Sequence, residues 1–393
     1  MKNKKILFIL LFLFFIFPFS YGGELRGVWI ATVENIDWPS KQGLSAEEQK
    51  AELAAMLDSL KEMGFNTIFL QVRPTADTLW PSNLEPWSQW LSGEQGKYPG
   101  YDPLAFAVYE AHKRDMKIHA WFNPFRVGKA KLTKTHPARQ HKDWVIKYGD
   151  KKYFDPGNPA ARAHNINVIM EVVEKYDIDG VHIDDYFYPY PIEKKDKNIP
   201  FKDKKSFKRY AAKGQPLDDW RRQNINTFIR DLKTKIKAAK PGLPFGISPF
   251  GIWRNKEDDT AGSDTTAFSS YSGIYADSRL WVKEGLVDYI VPQIYWHFEH
   301  EKAPYGKVLD WWQGEIACLD NAPQLYIGLA AYKHGTPQWA DKYEISRQVA
   351  YAREKPEVGG FVYFSASKVL ADNNGIYGLI CDIHRPFNPA DLF

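Results

Sequence analysis

Two adjacent aspartates, Asp184 and Asp185, lie at the centre of the run Gly-Val-His-Ile-Asp-Asp-Tyr-Phe-Tyr-Pro (180–189). A carboxylate at the end of a strand can stabilise developing positive charge or move a proton. Hydrolysis of a glycosidic bond needs two such groups. One is protonated and helps the leaving oxygen depart; the other is ionised and acts as nucleophile or water-activating base. Asp184 is the first candidate. In a regular strand Asp185 points to the opposite face, so the two act together only if the strand breaks there, which Tyr186 to Pro191 allows. Glu34, Asp37, Asp77, Asp155, Glu299 and Glu301 also follow apolar runs, and the partner stays open among them. The expected catalytic set is Asp184, Asp185 and Glu299.

Other chemistries are less well supplied. His182 and Asp184 offer two metal ligands on one face, but no third His or Cys follows at a recognisable spacing, so no metal is expected. No Gly-rich phosphate loop and no Gly-x-Ser-x-Gly turn is present, and no cofactor is expected. His119 reads as a satisfied core residue.

The elements that must hold these residues alternate. Apolar runs at 26–33, 67–74, 117–124, 180–187, 244–250, 289–296, 324–332 and 360–367 read as strands. Amphipathic stretches at 47–63, 103–114, 159–176, 218–239, 277–284, 307–319 and 342–355 read as helices between them. Eight such strands close a barrel, so the expected fold is an α/β (β/α)8 TIM barrel with enlarged loops on its C-terminal face.

Side-chain parity sharpens the assignment. Gln71 and Arg73 share one face of strand 2 against Ile68, Leu70 and Val72; Asn123 joins His119 and Trp121 in strand 3. His182 and Asp184 oppose Val181 and Ile183, and Gln293 and Tyr295 oppose Ile294 and Trp296. Polar groups turned toward the helices would each cost roughly 1–3 kcal/mol, so the polar parity points inward. The expected substrate contacts are therefore Gln71, Arg73, Asn123, His182, Gln293 and Tyr295. Arg126, Asp155, Tyr186, Trp253 and Trp296 join them from the loops, and Trp38 is a further cleft aromatic. Arg73 offers a forked donor to a substrate carboxylate, or else braces a neighbouring aspartate.

Composition bounds the rest. Aromatics make up 15% of the chain, with 14 Trp, which favours a flat polar ligand such as a sugar. The net charge of +4 shows no single-sign block beyond the Lys-rich stretch 193–208, so a polysaccharide rather than nucleic acid is the expected partner. Residues 1–22, basic and then apolar, read as a signal peptide too short to span a bilayer. Residues 23–393 then form one barrel domain: an exported monomer, periplasmic or extracellular, without a membrane anchor. Cys318 and Cys381 are the only cysteines, and their pairing is left open.

Several motifs resemble a known family. Glu-Leu-Arg-Gly-Val-Trp-Ile-Ala-Thr-Val (24–33), Gln-Val-Arg-Pro-Thr-Ala-Asp (71–77), His-Ala-Trp-Phe-Asn-Pro-Phe-Arg (119–126), the strand-4 motif, Phe-Gly-Ile-Ser-Pro-Phe-Gly-Ile-Trp-Arg (245–254) and Tyr-Ile-Val-Pro-Gln-Ile-Tyr-Trp (289–296) are similar to the glycosyl-hydrolase-like family ten group of exported bacterial barrel proteins. The resemblance implies a glycosidase barrel and, for part of the family, activity on peptidoglycan strands stripped of stem peptides. Strand 4 also resembles that of the alpha-amylase superfamily, which puts Asp184 in the place of the nucleophile and His182 in that of an arginine. Ser248-Pro249 stands where that superfamily carries its fifth-strand acid.

Overall fold

A computed structural model of the chain describes residues 23–194 and 197–385, and the segment read as a signal peptide lies outside them. The barrel strands are β1 (Leu25–Ile30), β2 (Thr67–Arg73), β3 (Lys117–Phe122), β4 (Gly180–Ile183), β5 (Phe245–Ile247), β6 (Tyr289–Ile290), β7 (Gln324–Leu329) and β8 (Val358–Tyr363). Each pairs in parallel with the next, and β8 pairs with β1, so the sheet closes into an eight-stranded barrel.

Helices α1 (Ala46–Glu62), α2 (Pro103–His112), α3 (Pro159–Lys175), α4 (Leu217–Ala239), α5 (Ser278–Lys283), α6 (Tyr305–Ala317) and α7 (Glu344–Arg353) fill the connections. Their starts are written locally. Ser45 and Glu48 form a capping box on α1, while Asp102 and Asn158 cap α2 and α3 ahead of a first-turn proline. A further helix, α8 (Ile376–His384), was not read from the sequence, although Ile376, Ile380 and Ile383 repeat at helical spacing and are buried.

The outward parity packs under the helices. Val28, Ile30, Ile68, Leu70, Val72, Ile118, Val181 and Ile183 lie in the main core, each contributing roughly 1.5–3 kcal/mol on burial. The barrel interior is filled differently, by Trp29, Phe69, Trp121 and Tyr289 with His119 and His182. Inward glycines make the room. A Cβ on Gly180 would stand 2.4 Å from His119, and one on Gly246 would stand 2.2 Å from the Tyr289 ring.

β4, β5 and β6 end earlier than the sequence suggested. Pro249 and Pro292 lack the N–H that would continue a ladder. Beyond them only the single bridges Phe250 to Gln293 and Gln293 to Gly328 persist. At β4 the chain turns as soon as Asp184 accepts the Tyr186 amide at 3.1 Å. The enlarged connection from β3 to α3 carries its own antiparallel sheet of Arg126–Gly128, Lys151–Phe154 and Val145–Tyr148.

Candidate active site

A cavity of about 540 Å³ opens at the C-terminal ends of the strands. Among the described residues, Asp184 and Asp185 are the only carboxylates in its lining. The break after Ile183 brings these neighbours to one cavity, which regular strand parity would have forbidden.

Asp184 is held by donors. The Trp121 indole gives a hydrogen bond at 3.1 Å, the Asn123 amide gives another, and the Tyr186 backbone N–H a third. The orientation of Asn123 is fixed from behind. Its oxygen accepts from the Gln71 amide, whose own oxygen accepts from the backbone N–H groups of Thr32 at 3.0 Å and Val33 at 2.9 Å. Reversing either amide would set donor against donor. Burial raises the Asp184 carboxyl above its ordinary value, while Arg126 and these donors pull it back toward ionisation.

Asp185 accepts the Tyr190 hydroxyl and is faced by Gln293. Burial first, and then the charge of Asp184, push its carboxyl up to about 6. The two neighbours are set differently: Arg126 and the donors favour charge on Asp184, and that charge favours a proton on Asp185. The Tyr190 phenol is raised by burial and by Asp185, so it stays protonated and donates.

The walls supply aromatic faces and two cations. Arg126 stacks on Tyr186 with its guanidinium carbon 4.5 Å from the ring centroid, and it makes no ion pair among the described residues. On another side Lys333 donates to the Tyr295 carbonyl at 2.7 Å.

Asp184, Asp185, Gln71, Arg126, Tyr186, Gln293, Tyr295 and Trp296 all line the cavity. The remaining expected contacts lie elsewhere. Arg73 turns outward where the register of β2 against β3 shifts, and it forks onto Glu85 at 2.7 and 2.5 Å. His164 joins Glu85 at 3.0 Å, so Arg73 braces an acid, but that acid is not Asp184. Burial alone would raise the Glu85 carboxyl, yet Arg73 and His164 outweigh it and hold it at about 2.

Asn123 lies behind Asp184 rather than on the wall. His182 lies deeper, accepting from the Trp29 indole at 3.2 Å and facing Ser248 at 3.0 Å; burial holds it well below its ordinary pKa, so it is neutral. His119 is buried against the Tyr289 hydroxyl at 2.9 Å, as expected of a core residue. Asp155 braces a turn through the Gly157 amide and the Ser206 hydroxyl. Trp253 is buried and donates to Asp277 at 2.7 Å, and Trp38 is buried and donates to Gln49.

Glu299 is a surface residue outside the cavity. Its slight burial would raise it, but the Arg347 hydrogen bond lowers it, which is the wrong direction for an acid that must hold a proton. Asp37 ties β1 to the segment after β8 through Ala31 and Ser365, and Asp77 is buried beside Thr75. Glu34 and Glu301 are exposed. Cys318 and Cys381 are both free thiols.

Trp121, Tyr190, Ser248 and Lys333 were not foreseen as site residues. Trp121 had a usable signal, since it shares the inward parity of strand 3. Ser248 lines the cavity, so the fifth strand supplies a hydroxyl where an amylase-type site would have its acid.

The sequence profile of the family described as glycosyl hydrolase-like 10 matches residues 24–345. The chain belongs to that family. As a glycosyl hydrolase-like 10 member, it is 48% identical over 364 residues to glycosyl hydrolase YngK of Bacillus subtilis, covering 90% of this chain and 70% of the relative. It is 38% identical over 368 residues to glycosyl hydrolase DigH of Escherichia coli K12, covering 86% and 82%. Among solved structures, the glycoside hydrolase domain of PgaB from Bordetella bronchiseptica superposes with a TM-score of 0.58 at 12% identity, covering 93% of this chain and all of that one. The endo-1,4-beta-mannanase of Rhizomucor miehei superposes at 0.53 and 10% identity, covering 92% and 94%. At such identities the likeness speaks for the barrel fold alone.

Proposed function

We propose that the protein hydrolyses glycosidic bonds within a polysaccharide, using Asp184 as the ionised carboxylate and Asp185 as the proton donor. The observation that carries this reading is the pair itself: two adjacent aspartates, the only carboxylates lining the cavity among the described residues, with Trp121, Asn123 and the Tyr186 amide donating to Asp184 and the Tyr190 hydroxyl to Asp185. Asp185 gives its proton to the departing glycosidic oxygen. Asp184 meets the positive charge that grows at the anomeric carbon. Water then completes the cleavage, and Asp185 recovers its proton from it.

The substrate we favour is a peptidoglycan glycan strand without stem peptides. Consecutive residues are ill placed to flank a sugar ring from opposite faces, whereas a 2-acetamido oxygen on the substrate can attack the anomeric carbon itself. Asp184 would then accept the acetamido N–H and meet the positive charge that spreads from the anomeric carbon onto that group as the ring closes. Arg126, stacked and without a carboxylate partner among the described residues, replaces Arg73 as the donor suited to a lactyl carboxylate. We further propose that residues 1–22 export the protein and that it works outside the cytoplasm.

Asp184→Asn is nearly isosteric and removes the charge, so turnover should fall by several orders of magnitude with the fold intact. Equal turnover of variant and wild type would sink the assignment of Asp184. Release of fragments from neutral plant-type glucans and none from denuded glycan strands would refute the substrate while leaving the site standing.

A further inference from the structure

A second concave site lies outside the barrel mouth, on the antiparallel sheet between β3 and α3. It is a groove of about 450 Å³ lined by Lys131, Arg139, Lys142, Lys147 and Lys152. Leu132 and Val145 supply apolar lining. None of the five cations makes an ion pair among the described residues. The stretch 129–152 holds eight Lys or Arg and two Asp, more positive charge than the whole chain nets at +4. Of the two acids, Asp150 is taken by Lys129 at 2.6 Å, and neither it nor Asp143 lines the groove.

Strand pairing concentrates the charge. Lys147 stands directly opposite Lys152 in the antiparallel register, on the same face as Val145. Like charges placed so destabilise a sheet, and no carboxylate in the groove relieves them. Arg139 is pinned by a hydrogen bond to the Leu132 carbonyl at 3.0 Å, which occupies part of its fork. The other four cations are lysines, compact charges that meet phosphate as points rather than carboxylate as a fork. Five cations along one open groove exceed what a single phosphate can neutralise.

We propose that this groove docks a polymer of repeating phosphate groups, a chain of negative charges that holds the protein on an anionic surface while the barrel mouth stays free. The site is separate from Asp184 and Asp185 and stands or falls independently of what the cavity cleaves.

The test uses the full chain and soluble inorganic polyphosphate as probe, with affinity followed at low and moderate salt. Saturable binding is expected, weakening steeply as salt rises through counterion release. Lys147→Glu with Lys152→Glu should weaken it by about tenfold or more and flatten the salt dependence, since two of the neutralising charges are reversed. Lys147→Gln should lower affinity less while leaving the thermal midpoint unchanged or higher, because it relieves the cross-strand repulsion; weaker binding is then not a consequence of unfolding. Absence of saturable binding, or equal affinity of the double variant, would overturn the site. Tighter binding to polyglutamate of matched charge would overturn the choice of phosphate. Groove-dependent binding to phosphatidylglycerol vesicles without binding to soluble polyphosphate would replace the polymer by a lipid surface.

Discussion

Two buried charge clusters occupy equivalent places at strand ends and are built on opposite terms. After β4, Asp184 and Asp185 carry like charge beside an open cavity, with only neutral groups donating to them. After β2, Arg73, Glu85 and His164 form a closed set of opposite charge with no exposure of the Arg73 and Glu85 side chains. The second arrangement answers every charge with a partner and makes a brace. The first leaves a conflict that one bound proton resolves, and a proton so held can be given to a substrate. What marks a reactive site here is unanswered charge next to space, rather than burial.

That contrast can be broken at either end. After Asp184→Asn, the largest effect is expected from Asp185→Asn, which should lower kcat by on the order of 10³ where proton donation limits the rate. Thermal stability should hold or rise, since a like-charge conflict is removed. In the wild type, kcat should fall as pH rises through about 6, where Asp185 loses its proton, and the variant should lose that limb. A wild-type rate that stays flat well above pH 7 would break the assignment.

Glu85→Gln should act oppositely, costing about 3–5 kcal/mol of stability through a buried Arg73 left without its charge partner, and leaving the pH profile alone. The sign follows from the depressed Glu85 carboxyl. Its contribution is complete above the ordinary value of 4.5 and is lost as pH falls through about 2, so denaturant midpoints of variant and wild type should converge in strong acid.

Asn123→Ala sharpens the comparison. It removes one donor from Asp184, so kcat should drop by about 10² and the acid limb of the profile should move to higher pH. A loss of stability without that pH shift would make Asn123 a packing residue only. The smallest effect belongs to Glu299→Gln. As an exposed ion-pair member outside the cavity it should change stability by less than about 1 kcal/mol, and glycan turnover should match the wild type within assay error.

The barrel was legible because its signal is repeated along the whole chain: apolar strands, polar inward parity and capped helices alternate, and each local choice agrees with the closed sheet. Parity failed where the backbone left the ladder. Arg73 lies past a register shift, and Asp185 lies past the last hydrogen-bonded residue of β4, so neither obeys the alternation that placed Gln71 correctly. Glu299 looked equivalent to other loop acids because sequence gives no distance from the mouth. The basic groove was missed for a related reason. Its lysines are separated by apolar and polar residues, and only the pairing of Val145–Tyr148 with Lys151–Phe154 sets Lys147 against Lys152.

The inward glycines have a last consequence, for traffic. Because Gly180 and Gly246 let His119 and Tyr289 meet across the barrel, these side chains floor the cavity among the described residues. A long polymer cannot thread through such a port and has to lie across it. Entering ligand and departing fragment share one doorway, so a cleaved fragment that lingers blocks the next arrival, and added product should inhibit competitively.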